Sequence, residues 1–142
     1  MKNPIAEWTE ESPKSNWDAG QGDRRLDFDF DEKDFTGLQN FLDIKLHETK
    51  QREDESYEEH EQRLKNQYLK LAAEKGYELL GRIWYWYESV GYLPSEINRL
   101  HKECLKFKEH SRNENQLTAA GKLISASNEA LKASSGIFLA SD

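Results

Sequence analysis

Cysteine is nearly absent from this chain of 142 residues, which contains Cys104 and no other. A single thiol excludes an intrachain disulfide, and a chain of this length can bury a core without one. Long apolar runs are also missing: the run from Arg82 to Tyr87 soon meets Glu88 and Gly91, far short of the ~20 apolar residues of a membrane span. The segment from Met1 to Trp8 lacks the apolar stretch of a secretory signal. We therefore expect a soluble, cytoplasmic protein with no membrane partner.

Positive charge is scarce in the first half of the chain. Residues 1–71 hold 11 Lys and Arg against 18 Asp and Glu, whereas residues 72–142 hold nine of each, so the net charge of −7 arises entirely in the first half. Affinity for nucleic acid depends on neutralisation of phosphates by Lys and Arg, so we expect no direct nucleic-acid binding. A basic partner would be attracted, although an acidic surface that only maintains solubility is the simpler alternative.

Motifs that carry catalysis or metal binding are missing as well. None of the four histidines has a glutamate three positions before it, which excludes the Glu-x-x-His pairs of a dimetal helical bundle. His101 and Cys104 lie three residues apart, but they form only half of a zinc site. Leu100 and Phe107 flank Cys104 in an apolar stripe, which predicts a buried and unreactive thiol. We therefore expect that the protein is not an enzyme and binds neither a metal nor a cofactor. The alternative is a small-ligand or enzymatic protein that uses a pocket between the helices.

The first 33 residues predict an irregular, partly extended arm. Prolines and glycines interrupt any periodicity up to about residue 25. From Leu26 to Asp31 apolar and acidic residues alternate, and this period-two pattern is typical of an extended segment. We expect its apolar face to pack on the rest of the protein and its acidic face to stay outside. The apolar face carries Leu26, Phe28 and Phe30, and the acidic face carries Asp27, Asp29 and Asp31, followed by Glu32 and Asp34.

Helical periodicity dominates the remaining chain. A first helix is predicted to begin at Asp34 or Thr36 and to end by about residue 50. Ser56 and Glu59 form a capping box that starts the second helix. The apolar stripe that follows keeps a 3.6-residue period as far as Val90 and stays in phase across Gly76. We therefore favour one long helix over residues 56–90, with a kink at Gly76 as the alternative.

Two further helices complete the predicted fold. The third spans about 95–111 and carries a basic outer face, and the fourth runs from Asn113 or Asn115 to Gly136. The tail Ile137, Phe138 and Leu139 either folds back on the helices or forms an apolar patch. The fold class is thus all-α: an antiparallel bundle of about four helices over residues 34–142, preceded by the arm at residues 1–33.

The run Ile83-Trp84-Tyr85-Trp86-Tyr87 contains more large side chains than one helix face can bury. Tyr85 is predicted to point away from the core, near Glu88. It either lies under another segment or forms part of a binding surface, where tyrosine and tryptophan are enriched.

These features favour a small acidic binding protein that neutralises a basic protein partner, as a bacterial immunity protein or antitoxin does with a nuclease toxin. A scaffold or assembly subunit that binds a copy of itself is the main alternative. A DNA-mimic inhibitor is a weaker one, because the second half of the chain has no net charge. The predicted partner-binding residues are Asp27, Asp29, Asp31, Glu32, Asp34, Glu58, Tyr85 and Glu88.

Overall fold

A computed structural model describes residues 2–8 and 25–139 of the chain, with side chains from residue 30 onward. As the sequence predicts, four α-helices make up most of the regular structure of these residues. They are α1 (Glu32–Leu42), α2 (Tyr57–Glu74), α3 (Ile97–Glu109) and α4 (Glu114–Ala133). The strands are β1 (Lys2–Trp8), β2 (Arg25–Asp31), β3 (Val90–Tyr92) and β4 (Gly136–Leu139), and two 3₁₀ turns span Leu80–Arg82 and Pro94–Glu96.

The four strands form one antiparallel sheet in the order β2-β1-β4-β3. In the register of the sheet, Leu139 of β4 pairs with Ile5 of β1 on one side and with Val90 of β3 on the other. The fold is therefore mostly helical, and the prediction of an all-α protein is confirmed only in part, because strands far apart in the chain pair with one another. The extended segment predicted from the alternating pattern is confirmed as β2, whose Phe30 is completely buried. The division of the chain after residue 33 stays a prediction.

Helix α4 lies at the centre of the fold. It packs against α1 and α3 and also contacts β1, β2 and β4. Small buried residues on its inner face, Ala119, Ala120, Ala126 and Ala130, allow this close packing. By contrast, only Tyr68 and Ala72 of α2 are buried, and α2 packs mainly against the 3₁₀ turn Leu80–Arg82. A single antiparallel bundle of all four helices is not confirmed.

Helix starts follow local capping rules. The Ser56 hydroxyl accepts a hydrogen bond from the backbone N–H of Glu59 at 3.1 Å, and the Glu59 carboxylate accepts one from the N–H of Ser56 at 3.2 Å, which confirms the predicted start of α2. Asn113 caps α4 by accepting from the N–H of Gln116 at 3.0 Å. Both caps satisfy N–H groups that the first turn of a helix leaves without partners.

The predicted start of the first helix is wrong, and the helix ends well before the predicted limit of about residue 50. Its cap is Asp31, whose carboxylate accepts from the N–H of Asp34 at 3.0 Å while the Asp34 carboxylate accepts from the N–H of Asp31 at 2.9 Å. Because this box starts the helix at Glu32, neither Asp34 nor Thr36 is the cap. The helix ends at Leu42, since Asp43 takes a left-handed conformation with φ of 48°.

The prediction of one helix over residues 56–90 is also wrong. Helix α2 ends at Glu74, and Gly76 has a φ of +88°, which favours glycine and reverses the chain. The Lys106 ammonium donates to the Gly76 carbonyl oxygen at 2.9 Å. Leu79 and Leu80 follow Gly76 by three and four residues, and the buried Glu103 carboxylate of α3 accepts a hydrogen bond from the N–H group of each, both at 3.0 Å. These contacts hold the returning segment on α3.

The chain beyond α4 folds back into the core. Ile137, Phe138 and Leu139 are all buried in β4. Next to them in β3, the ring of Tyr92 is buried and its hydroxyl donates to the Leu79 carbonyl oxygen at 2.6 Å. The tail is therefore a strand of the sheet and not an exposed apolar patch.

Candidate functional site

One polar face of α2 forms the first wall of a groove. Glu58, Glu61, Gln62 and Lys65 are spaced three, one and three residues apart, which places them on the same side of a helix. Glu58 and Glu61 lie in or near the first turn, where the positive end of the helix dipole stabilises carboxylates. This wall is acidic at its N-terminal end and basic one turn further along.

The second wall comes from the segment that returns after α2 has ended. Gln39 of α1 fixes this segment, since its side-chain amide donates to the Ile83 carbonyl oxygen and accepts from the Tyr68 hydroxyl. Immediately after this anchor, Trp84 lies beside Tyr68 with 6.2 Å between ring centroids. The residues from 84 to 89 are thereby held against the polar face of α2.

Three aromatic side chains dominate this second wall. The rings of Trp84 and Tyr85 are 5.5 Å apart at 41°, and those of Tyr85 and Tyr87 are 5.7 Å apart at 72°, an edge-to-face arrangement. Tyr85 and Tyr87 are 41% and 59% exposed, so large parts of both rings face solvent. The adjoining rings form a corner with exposed aromatic faces.

An ion pair connects the two walls. The Lys65 ammonium binds Glu88 Oε1, and the Trp84 indole N–H donates to Glu88 Oε2 at 2.6 Å. The cavity between the two walls has a volume of about 460 Å³ and is called here the α2 groove; its lining is Glu58, Glu61, Gln62, Lys65, Trp84, Tyr85, Tyr87, Glu88 and Ser89. Lys65, Glu88 and Ser89 also line a neighbouring cavity of about 250 Å³, so the ion pair lies between the two cavities.

The carboxylates of the α2 groove differ in what they bind. Both oxygens of Glu88 are occupied by Lys65 and Trp84. Glu61 accepts a hydrogen bond from the Tyr57 hydroxyl at 2.7 Å, and this bond raises the pKa of Tyr57. No hydrogen bond or ion pair joins the exposed Glu58 carboxylate to another side chain in the described part of the protein. The groove therefore carries three carboxylates against one ammonium group, with Glu58 available to a ligand.

The structure brings together three of the residues predicted from the sequence. Glu58, Tyr85 and Glu88 all line the α2 groove, although 27 positions separate the first two in the chain. Glu61 and Lys65 were not among the predicted residues, although their helical spacing from Glu58 could have identified them. Trp84 and Tyr87 were not among them either, because their placement depends on the break after α2.

The predicted acidic residues of the arm lie elsewhere. Glu32 is exposed at the start of α1, whereas the carboxylate of Asp31 caps that helix. Asp34 is buried and binds the Lys122 ammonium at 2.5 Å; burial raises the pKa of Asp34, and Lys122 opposes that rise. Its carboxylate is thus engaged inside the protein and not displayed to a partner. The side chains of Asp27 and Asp29 fall outside the described ones.

The metal-binding and thiol chemistry considered from the sequence gains little support from the described residues. Within residues 30–139, no three His, Cys, Asp or Glu side chains cluster closely enough to hold a metal ion. Cys104 is buried, and that burial raises the pKa of its thiol, which disfavours the reactive thiolate. His101 pairs with the buried Ser127 hydroxyl at 2.9 Å, and that hydroxyl in turn donates to the Ile124 carbonyl oxygen. Among the described helices, none combines the length and apolar character needed to cross a membrane.

No family model, curated protein or solved structure matches this chain. Its function must therefore be inferred from the α2 groove and the charge around it.

Proposed function

We propose that this protein is a small binding protein that holds a basic segment of another protein in the α2 groove. The supporting observation is the composition of the groove: exposed tyrosine rings face a helix that presents carboxylates, and Glu58 among them has no side-chain partner in the described structure. A cleft of about 460 Å³ is also within the size range of ligand sites, roughly 300–1,000 Å³.

Two physical effects would act together at such a surface. Large aromatic side chains supply much of the binding energy at protein interfaces, because they bury a wide apolar area with little loss of side-chain freedom. Carboxylates attract a basic partner over longer range and raise its association rate. The net charge of −7 has the same sign as the groove, so the field of the whole protein favours the same partner.

A protein with these properties suits the neutralisation of a cationic enzyme. Nucleases that bind phosphate backbones carry basic surfaces, and an acidic protein with aromatic anchors can cover such a surface. We therefore propose a role like that of a bacterial immunity protein or antitoxin. This role rests on charge and groove chemistry alone.

Selection of peptides against the purified protein tests the proposal. A library of random peptides displayed on phage should yield binders enriched in Lys and Arg, because only cationic segments complement the groove. The binders are then measured against Glu58→Lys, which should weaken affinity by about tenfold or more, since it replaces an attraction by a repulsion.

A matched variant separates a groove effect from a general charge effect. Glu74→Lys makes the same change of net charge at an exposed position at the other end of α2, about 24 Å along the helix. It should leave peptide affinity nearly unchanged, and circular dichroism should show both variants folded. Selected peptides without an excess of Lys and Arg, or equal losses from the two variants, would contradict the proposal.

A further inference from the structure

We infer that the α2 groove recognises an arginine side chain of the basic segment, stacked on the exposed Tyr85 ring and donating hydrogen bonds to the Glu58 carboxylate. This inference rests on the proposed function and names the residue type that the groove selects. It follows from the different chemistry of the two walls and from the ion pair that Lys65 already forms with Glu88 in the groove.

The two walls match the two kinds of surface on a guanidinium group. Its flat face stacks on aromatic rings, while its edge carries N–H donors in a planar fork that suits carboxylates. The returning segment supplies the ring of Tyr85, and α2 supplies the carboxylates of Glu58 and Glu61. An arginine side chain lying between the walls can satisfy both at once.

Other cations fit this arrangement less well. A lysine ammonium is compact and strongly hydrated, and it lacks a flat face to place on a ring. A quaternary ammonium interacts well with aromatic rings but has no N–H to donate to a carboxylate. The groove presents carboxylates as well as rings, so a group that uses both should bind most tightly.

Lys65 limits where the arginine side chain can lie. Its ammonium and the Trp84 indole occupy both oxygens of Glu88, so this end of the groove is already neutralised from within. Glu58 and Glu61 lie one to two helical turns away from Lys65, toward the start of α2. An incoming guanidinium therefore finds its acceptor at the Glu58 end, beside Tyr85.

Titration with short peptides, followed by proton–nitrogen NMR, tests the inference. The probes are Gly/Ser peptides that carry one central arginine, lysine, Nε-trimethyl-lysine or neutral citrulline. The indole N–H of Trp84, assigned with a Trp84→Phe sample, reports binding in the groove. We expect the arginine peptide to bind about tenfold more tightly than the lysine and trimethyl-lysine peptides and the citrulline peptide to bind most weakly.

Three variants examine the individual contacts. Tyr85→Leu should reduce the preference for arginine over lysine, because it removes the stacking face, whereas Glu58→Gln should weaken both cationic peptides. Lys65→Met should tighten the arginine peptide, because it removes the competing ammonium and frees Glu88. Glu74→Gln, at the far end of α2, is the control and should change nothing.

The outcomes separate this inference from the proposed function. Equal affinity for arginine and lysine peptides, or tighter binding of trimethyl-lysine, overturns the arginine assignment while a groove for basic segments stands. A Tyr85→Leu variant that keeps the full preference for arginine also overturns it. If neither cationic peptide shifts the Trp84 signal and the phage selection yields no basic binders, both the inference and the proposed function fail.

Discussion

Replacing Gly81 by alanine should destabilise the protein, because the returning segment lies very close to α2 at this residue. A Cβ atom built on Gly81 lies 2.4 Å from the Cβ of Ala72, whereas comfortable carbon contacts lie at about 3.5–4.0 Å. The next nearest atoms, Ala72 Cα and Leu69 Cδ2, are both 3.9 Å away. The clash therefore falls on two short side chains that cannot rotate aside, and the backbone must move.

The expected loss follows from two opposing effects. Overpacking of a filled interior costs about 1–3 kcal/mol. Alanine also restricts the unfolded chain, which favours folding by about 0.4–1 kcal/mol where the native backbone suits it, and Gly81 is not among the glycines with positive φ. We expect a net loss of about 1–2 kcal/mol in the free energy of unfolding, measured by urea titration with tryptophan fluorescence.

Gly121→Ala is the matched control. Gly121 lies inside α4, and a Cβ placed there meets nothing within 4 Å. The same chemical change should therefore stabilise the protein by about 0.5–1 kcal/mol, the usual difference between glycine and alanine in a helix.

A double variant tests the contact itself. Ala72→Gly alone should cost about 1 kcal/mol through helix propensity. Combined with Gly81→Ala, however, it removes one of the two clashing atoms, so the double variant should be more stable than the sum of the single effects, by about 1–2 kcal/mol. Additive effects, or a Gly81→Ala protein as stable as the unmodified one, would refute the close approach of the two segments.

Three further predictions concern stability. Phe30→Ala should cost about 3–5 kcal/mol in urea unfolding, because it empties a fully buried position. Glu103→Ala should cost about 2–4 kcal/mol, because it leaves two backbone N–H groups of the returning segment without their acceptor. Hydrogen bonds from the Arg63 side chain and, to a smaller extent, from the Arg52 backbone N–H lower the pKa of Glu55 from 4.5 to about 2, so these contacts should stabilise the fold above pH 4.5 and progressively less as the pH falls toward 2. Arg63→Met should flatten that part of the pH–stability profile in thermal unfolding.

Features that depend on neighbouring residues could be predicted from the sequence. The capping box of Ser56 and Glu59 and the cap at Asn113 occur where local hydrogen bonding requires them. The start of α1 was harder to locate, because Asp31 and Asp34 are both good caps and each bonds the backbone of the other. Spacing alone did not show which aspartate precedes the helix.

The break at Gly76 could not be predicted from periodicity. Leu79, Ile83, Trp86 and Val90 are all buried, as the stripe predicts, but Leu79 and Ile83 flank a 3₁₀ turn, Trp86 lies in an irregular segment and Val90 begins a strand. For these four residues the period predicted burial but not the backbone conformation that produces it, whereas Tyr57, at the start of the same stripe, is 63% exposed. The sheet was missed for a related reason, since the partners of β4 lie some 50 and 130 residues away and leave no local signal.

The same break creates the candidate site. In one continuous helix over residues 56–90, Glu58 and Glu88 would lie about 45 Å apart, at a rise of about 1.5 Å per residue. Because the chain reverses at Gly76, the segment from Trp84 to Ser89 returns alongside the first half of α2, and Lys65 and Glu88 form an ion pair. The acidic wall and the aromatic wall thus face each other only because the chain reverses direction after α2. Substitutions that restore helix across Gly76 would therefore remove the groove even if every residue that lines it were kept.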